Sequence, residues 1–207
     1  MKITRNDWWA TPVWEYQTDF DKDFNTKLLQ EVESYYKTLP AGMNANIWNH
    51  NSECLNLIKA ETLRIVKEAT YDFVSINFGG QDFEFWHSRG WINYHEVGQS
   101  LPLHGHGAPK IAMTYYIDAP PHCGDLLLID PRGGVDWDMG MDGANGTKFN
   151  RVKPETCKLV FFPGFVVHGV EENKSYRPRI SLTSNMSAVD SASFKTMTEL
   201  QKQGLCL

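Results

Sequence analysis

Two histidines separated by one glycine, His104-Gly105-His106, are followed far along the chain by His168 and then by Arg179-Ile180-Ser181. Residues i and i+2 of a strand project from one face, so His104 and His106 placed on a strand can chelate one metal ion. His168 would close the site from elsewhere. If such a site keeps open positions, a first-row metal does chemistry there rather than only bracing the fold. Arg179 beyond it would clamp an acidic co-substrate. Plainer readings compete with this one. Pro102, Gly105, Gly107 and Pro109 suit a surface loop with two unrelated histidines, and His168, after the apolar run Val160 to Val167, suits a satisfied core residue. His50, His87, His95 and His122 have no partner at ligand spacing and read as structural or surface.

The elements that must position these residues fall into two groups. Apolar residues recur at helical spacing over Phe24–Leu39 (Phe24, Leu28, Leu29, Val32, Tyr35, Tyr36), which ends at Pro40. A second helix is expected over Leu55–Val74, stopped by Gly79-Gly80. From Phe83 on, short strand-like runs follow one another between turn residues: Phe83–His87, Trp91–Val97, Ile111–Asp118, Asp125–Ile129, Lys158–Phe162 and Arg179–Met186. Strands without intervening helices imply antiparallel sheets in a sandwich or open barrel. From Arg179, one face carries Arg, Ser, Thr and Asn and the other Ile, Leu, Ser and Met. Ile111, Met113, Tyr115 and Ile117 likewise alternate with Ala112, Thr114, Tyr116 and Asp118. Two such strands can line a polar pocket. The long interruption Pro131–Pro154 is either a functional cover or variable surface.

At 207 residues the chain is expected to be one domain, 1–207, with a helical support region over 1–80, a β core over 81–190 and a tail or short helix over 191–207. A net charge of −5 gives no basic footprint, which argues against nucleic acid as the main partner. No apolar run approaches the roughly 20 residues that span a bilayer, and the N-terminus lacks the apolar stretch of a signal peptide. The four cysteines (Cys54, Cys123, Cys157, Cys206) are scattered without a CxxC pair, as expected of reduced thiols in a cytoplasmic protein.

The order of several motifs carries a family likeness. Ala10-Thr11-Pro12-Val13-Trp14 precedes the first helix. Trp91-Ile92-Asn93, His104-Gly105-His106, Tyr115-Tyr116-Ile117 and Gly124-Asp125-Leu126 through Arg132 follow. Phe161-Phe162-Pro163-Gly164, His168-Gly169-Val170-Glu171 and Arg179-Ile180-Ser181 complete the series. In this order the chain resembles the iron(II)- and 2-oxoglutarate-dependent oxygenases, mainly-β enzymes with supporting helices built on a double-stranded β-helix, or jelly roll. Within them it is similar to a bacterial and phage branch. The succession Tyr94, Gly98, His104, Tyr116 and Cys123-Gly124-Asp125-Leu126 is similar to that of the prolyl-4-hydroxylases. The resemblance implies iron(II), 2-oxoglutarate and O2 as cofactors. It implies His104 and His168 as metal ligands, Arg179 as the partner of the distal carboxylate of 2-oxoglutarate, and Ser181 as an added donor. Asn93, Tyr94, Thr114 and Tyr116 are further candidate donors, and Arg177 is the rival of Arg179. The implied reaction couples oxidative decarboxylation of 2-oxoglutarate to hydroxylation of a small-molecule or peptidyl substrate.

One departure stands out. The usual motif is His-x-Asp or His-x-Glu, and here His106 takes the carboxylate position. His106 is then a third ligand, or the site has two protein ligands, or Asp118 or Asp125 substitutes, or the site is dead. A Gly/Asp-rich stretch, Asp136 to Gly143, is a candidate cover; its spacing fits a calcium loop poorly, because Gly140 takes the fifth position. The nearest alternative is a cupin, which shares the jelly roll and the Gly98…His104-x-His106 spacing. It lacks the glutamate expected after His106, where Lys110 and Ile111 stand, and it leaves Arg179 and Ser181 unexplained. A non-catalytic jelly-roll module is the other alternative.

Overall fold

A computed structural model describes residues 11–40, 46–75, 78–107, 111–131 and 149–202. The stretch 136–143, most of the 131–154 interruption, and Cys206 lie outside the described residues. Nine strands are described: β1 (Trp14–Gln17), β2 (Phe83–His95), β3 (Leu101–His104), β4 (Ile111–Asp118), β5 (Leu126–Ile129), β6 (Phe149–Val152), β7 (Lys158–Pro163), β8 (His168–Val170) and β9 (Arg179–Asp190). Three α-helices accompany them: α1 (Lys22–Thr38), α2 (Glu53–Ser75) and α3 (Ser191–Lys202). The strands form a five-stranded sheet in the order β1-β7-β4-β9-β2 and a four-stranded sheet in the order β3-β8-β5-β6. Every pairing is antiparallel. This is the mainly-β, two-sheet arrangement expected of a jelly roll.

The expected strands Phe83–His87 and Trp91–Val97 are one strand, β2, and the interruption between them is a bulge in its pairing with β9 between His87 and Arg89. Gly90, just beyond the bulge, has no room for a side chain: a Cβ there would lie 2.2 Å from Nε1 of Trp48. β1, β3, β6 and β8 are only three or four residues long, too short for periodicity to reveal.

Helices α1 and α2 cover the outer face of the large sheet. Asp21 caps α1 by accepting from the Phe24 amide at 2.8 Å. Leu28 and Val32 of α1 and Leu55, Ile58, Ile65 and Val66 of α2 pack with Ile111, Met113, Tyr115, Leu159, Phe161 and Leu182 of the sheet in one core. Each such buried aliphatic side chain contributes roughly 1.5–3 kcal/mol. Polar pins fix the packing. Glu31 of α1 accepts from the amides of Cys54 (3.0 Å) and Leu55 (3.3 Å) and from Ser52 Oγ (2.6 Å), so one helix caps the other. Asn25 joins α1 to β4, donating to the Ile117 carbonyl at 2.7 Å and accepting from the Tyr115 hydroxyl at 2.6 Å.

Ser184 sits between Leu182 and Met186 on the apolar face of β9, and it is fully buried. Its Oγ meets Nε1 of Trp48 at 3.0 Å and Nδ1 of His87 at 2.7 Å, and donates to the Arg89 carbonyl at 2.8 Å. His87 is therefore a satisfied core residue, as expected. Burial holds its pKa down at about 3, against about 6.5 in an unfolded chain. The unfolded state takes up the proton more readily, so the contribution of His87 to stability is complete above about pH 6.5 and is lost as pH falls toward 3. Between pH 7 and pH 5 this group alone costs about 2 kcal/mol. Urea unfolding at the two pH values measures the loss, and His87→Gln lowers it by about that amount; an unchanged pH dependence in the variant contradicts the assignment.

Candidate metal and co-substrate site

The inner face of the large sheet is set by register. Trp91, Asn93 and His95 of β2 lie opposite Thr183, Ser181 and Arg179 of β9. On the other side of β9, Thr114 and Tyr116 of β4 lie opposite Thr183 and Ser181. Directly opposed residues share a face. These eight side chains, with Ala112 and Phe162, form one wall of a cavity of about 170 Å3; Leu101, His104, Leu126, His168 and Val170 of the small sheet contribute to the other, together with His106.

The three histidines converge at this cavity. Their candidate ligand atoms all lie within 4.8 Å of one another, and they are the one such cluster among the described residues. The chelate arises differently from the sequence expectation. His104 is the last residue of β3 and His106 lies beyond it, so the two do not share a strand. Instead His104 pairs across the sheet with His168 of β8, and that register puts both rings on the inner face. Nδ1 of His104 lies 2.9 Å from the Pro102 carbonyl and Nδ1 of His168 2.9 Å from that of Val166. Each Nδ1 therefore donates, which leaves Nε2 as the lone-pair nitrogen, the tautomer a metal requires. Nε2 of His106 lies 3.2 Å from Nε2 of His168. Metal–nitrogen bonds of about 2.1 Å at right angles place two donor atoms roughly 3 Å apart, so this spacing fits a shared ion. Burial lowers the pKa of His168 to about 4, its bond to the Val166 carbonyl opposes the shift, and the two neighbouring histidines add to it. Burial, then His104, lowers that of His106. Both rings are held neutral, as ligands must be.

Arg179 lies in the same wall and is 2% exposed. Its Nη1 donates to the carbonyls of Gly124 (3.1 Å) and Cys123 (3.4 Å), while Nε is buried without a partner. No carboxylate among the described residues pairs with it. Gly124 makes this approach possible: its φ is +85°, and a Cβ would stand 2.3 Å from the Glu171 carbonyl oxygen. Arg177, the rival, is on the surface, paired with Asp118 and lying over the Tyr176 ring.

Ser181, Asn93, Thr114 and Tyr116 all line the cavity. Asn93 accepts from Nε1 of Trp91 at 3.1 Å and donates to Thr183 Oγ1 at 2.7 Å, a relay that holds the Trp91 ring 6.2 Å from that of His106. Tyr94 is a correction. It lies opposite Ile180 on the outer face, and its hydroxyl donates to Glu33 of α1 at 3.2 Å, so it does not reach the site. Asp118 is engaged by Arg177, and Asp125 lines a separate surface groove with His122, Glu171 and Lys174, so neither joins the histidines. His95 was missed. It had no partner at metal-ligand spacing, yet the alternation Trp91, Asn93, His95 already put it on the face of Asn93.

Comparisons with known proteins agree with this geometry. Residues 89–185, the strands that build the cavity, match the family model described as "Putative 2OG-Fe(II) oxygenase". No curated protein sequence matches the chain. A prolyl-4-hydroxylase from Pseudomonas putida is similar over 86% of this chain and 88% of its own, at 16% identity and a TM-score of 0.55. SnoN, a non-haem 2-oxoglutarate-dependent epimerase of nogalamycin biosynthesis, is similar over 87% and 79%, at 13% identity and a TM-score of 0.58. The non-haem monooxygenase ThoJ, solved with nickel, is similar over 87% and 76%, at 13% identity and a TM-score of 0.54. At such identities the likeness to solved structures is one of fold. Together these findings bear out the resemblance to the iron(II)- and 2-oxoglutarate-dependent non-haem oxygenases, through the family model over residues 89–185 and through the shared jelly-roll fold. That family implies iron(II), 2-oxoglutarate and O2, and the histidine triad is a set able to bind the iron.

Cobalt(II) titration, followed by its visible ligand-field bands, tests the triad. His104→Ala, His106→Ala and His168→Ala each weaken binding beyond the roughly 10–100-fold typical of losing a group that only orients a ligand. Unaltered affinity in His106→Ala reduces the protein ligands to two.

Proposed function

We propose that the protein is an iron(II)- and 2-oxoglutarate-dependent hydroxylase with a three-histidine metal site. The observation that carries the reading is the pairing, in one cavity, of three clustered imidazoles with a buried guanidinium that no carboxylate among the described residues neutralises. An unpaired charge in a protein interior costs several kcal/mol, and a bidentate carboxylate removes most of that cost. The distal carboxylate of 2-oxoglutarate supplies the missing anion, while its 2-oxo acid end reaches the metal. Ser181, opposite both Asn93 and Tyr116, adds a hydroxyl donor beside Arg179. Bound iron(II), with 2-oxoglutarate and O2, supplies an oxidant as 2-oxoglutarate is converted to succinate and CO2.

The chain's own part is to hold the anion, fix the three imidazoles and keep water out. Leu101, Ala112, Leu126, Phe162 and Val170 give the cavity an apolar lining. A neutral histidine in the carboxylate position leaves the metal more positive, which favours a dianionic co-substrate. The substrate is a small molecule or a peptide whose reactive part is uncharged, since Arg179 is the one charged side chain among the described lining residues. Cytoplasmic action suits buried free thiols at Cys54, Cys123 and Cys157. No described helix is long and apolar enough to cross a membrane.

Anaerobic addition of iron(II) and 2-oxoglutarate produces a weak visible metal-to-ligand charge-transfer band in the wild type. Arg179→Met abolishes it at 2-oxoglutarate concentrations that saturate the wild type. Metal binding without affinity for 2-oxoglutarate contradicts the reading and favours a cupin-type three-histidine protein. Succinate formation stimulated by one member of a panel of peptides and metabolites then identifies the substrate.

A further inference from the structure

Two buried polar atoms in the cavity wall lack hydrogen-bond partners: Nδ1 of His95 and Nε of Arg179. The two residues are register partners across β2 and β9, so their side chains are neighbours on the inner face. His95 is 8% exposed and Arg179 2%. The His95 carbonyl accepts from Nδ2 of Asn173 at 2.8 Å, and the same amide group donates to the Arg177 carbonyl at 3.1 Å, so one buried asparagine ties the end of β2 to the segment that leads into β9.

A buried donor or acceptor left without a partner costs about 1–3 kcal/mol, and more where a charge is involved. Two adjoining orphans, one of them on a cation, therefore mark the position of an acceptor that both can share. We propose that His95 donates from Nδ1 to the carboxylate held by Arg179, so that the distal-carboxylate site is a histidine–arginine pair. The inference rests on the co-substrate reading given above and deepens it. His95 stays neutral in this role: burial, and then the charge of Arg179, keep its pKa near 4. A neutral ring carries one N–H, so it donates a hydrogen bond without bringing a second positive charge beside the guanidinium. The pair also sets specificity. A 2-oxo acid ending in a methyl group leaves both donors buried and unpaired, whereas a terminal carboxylate satisfies both.

The test compares 2-oxoglutarate with 2-oxopentanoate, which carries a methyl group in place of the distal carboxylate. Affinities for both are measured anaerobically with iron(II)-loaded wild type, His95→Leu and His95→Gln. His95→Leu weakens 2-oxoglutarate roughly 10–100-fold, the range for a hydrogen bond to a charged group. It leaves 2-oxopentanoate unchanged, and His95→Gln, which keeps an N–H donor, restores part of the loss. Equal weakening of both ligands indicates a structural role and overturns the proposal, as does unchanged affinity for 2-oxoglutarate. Failure of the wild type to bind either acid overturns the co-substrate reading itself, and the proposal with it. A readout independent of variant stability is the ring 15N spectrum of the zinc-loaded wild type. There, 2-oxoglutarate and not 2-oxopentanoate shifts one histidine to a hydrogen-bonded Nδ1–H, a signal missing from His95→Gln; no such shift overturns the proposal.

Discussion

The buried guanidinium of Arg179 is the constraint around which the rest of the site is arranged. A cation between two sheets, answered among the described residues by two carbonyls, is an expensive feature to keep in a fold whose net stability is of the order of 10 kcal/mol. Its presence requires compensation on both sides. On the protein side, Gly124 adopts a left-handed conformation against Glu171 so that a carbonyl can reach Nη1. On the ligand side the requirement is an anion, and the three clustered histidines along the same cavity are a set able to hold a cation. A chelating 2-oxo acid with a second carboxylate meets both requirements at once.

The jelly roll makes this arrangement possible because its large sheet has two distinct faces. Ile92, Ile180, Leu182, Met113, Tyr115 and Phe161 face the helices, and burial there holds the sheet in place. Alternation then puts Asn93, His95, Arg179, Ser181, Thr114 and Tyr116 on the other face. The helices thus contribute no described side chain to the cavity, yet they fix the register on which it depends. Glu31, Asn25 and the Ser184–His87–Trp48 cluster are the polar pins of that support.

Much of this was legible in the sequence, for definable reasons. Long elements announced themselves by period: α1 and α2 lie within a few residues of expectation, and the two-faced pattern of β9 located Arg179 and Ser181 on the inner wall. Motif order supplied the family likeness that the model over residues 89–185 also finds. What escaped was whatever depends on partners far away in sequence. The chelate came from a cross-strand pairing of His104 with His168, and β3 and β8 are too short to read from pattern. Motif order points to Tyr94 as a donor, but alternation with Asn93 puts it on the opposite face, against Glu33. Metal-ligand spacing gives no signal for His95, whose proposed role depends on the arginine opposite.

The central claim is that a metal on three histidines and a carboxylate on Arg179 are the two ends of one bound co-substrate. A crystal structure of the protein grown anaerobically with manganese(II) and 2-oxoglutarate tests it most directly. The account predicts metal–nitrogen bonds of about 2.1–2.2 Å from His104, His106 and His168, with the distal carboxylate seated against Arg179. A metal held by other residues, or a 2-oxoglutarate whose distal carboxylate lies away from Arg179, contradicts it.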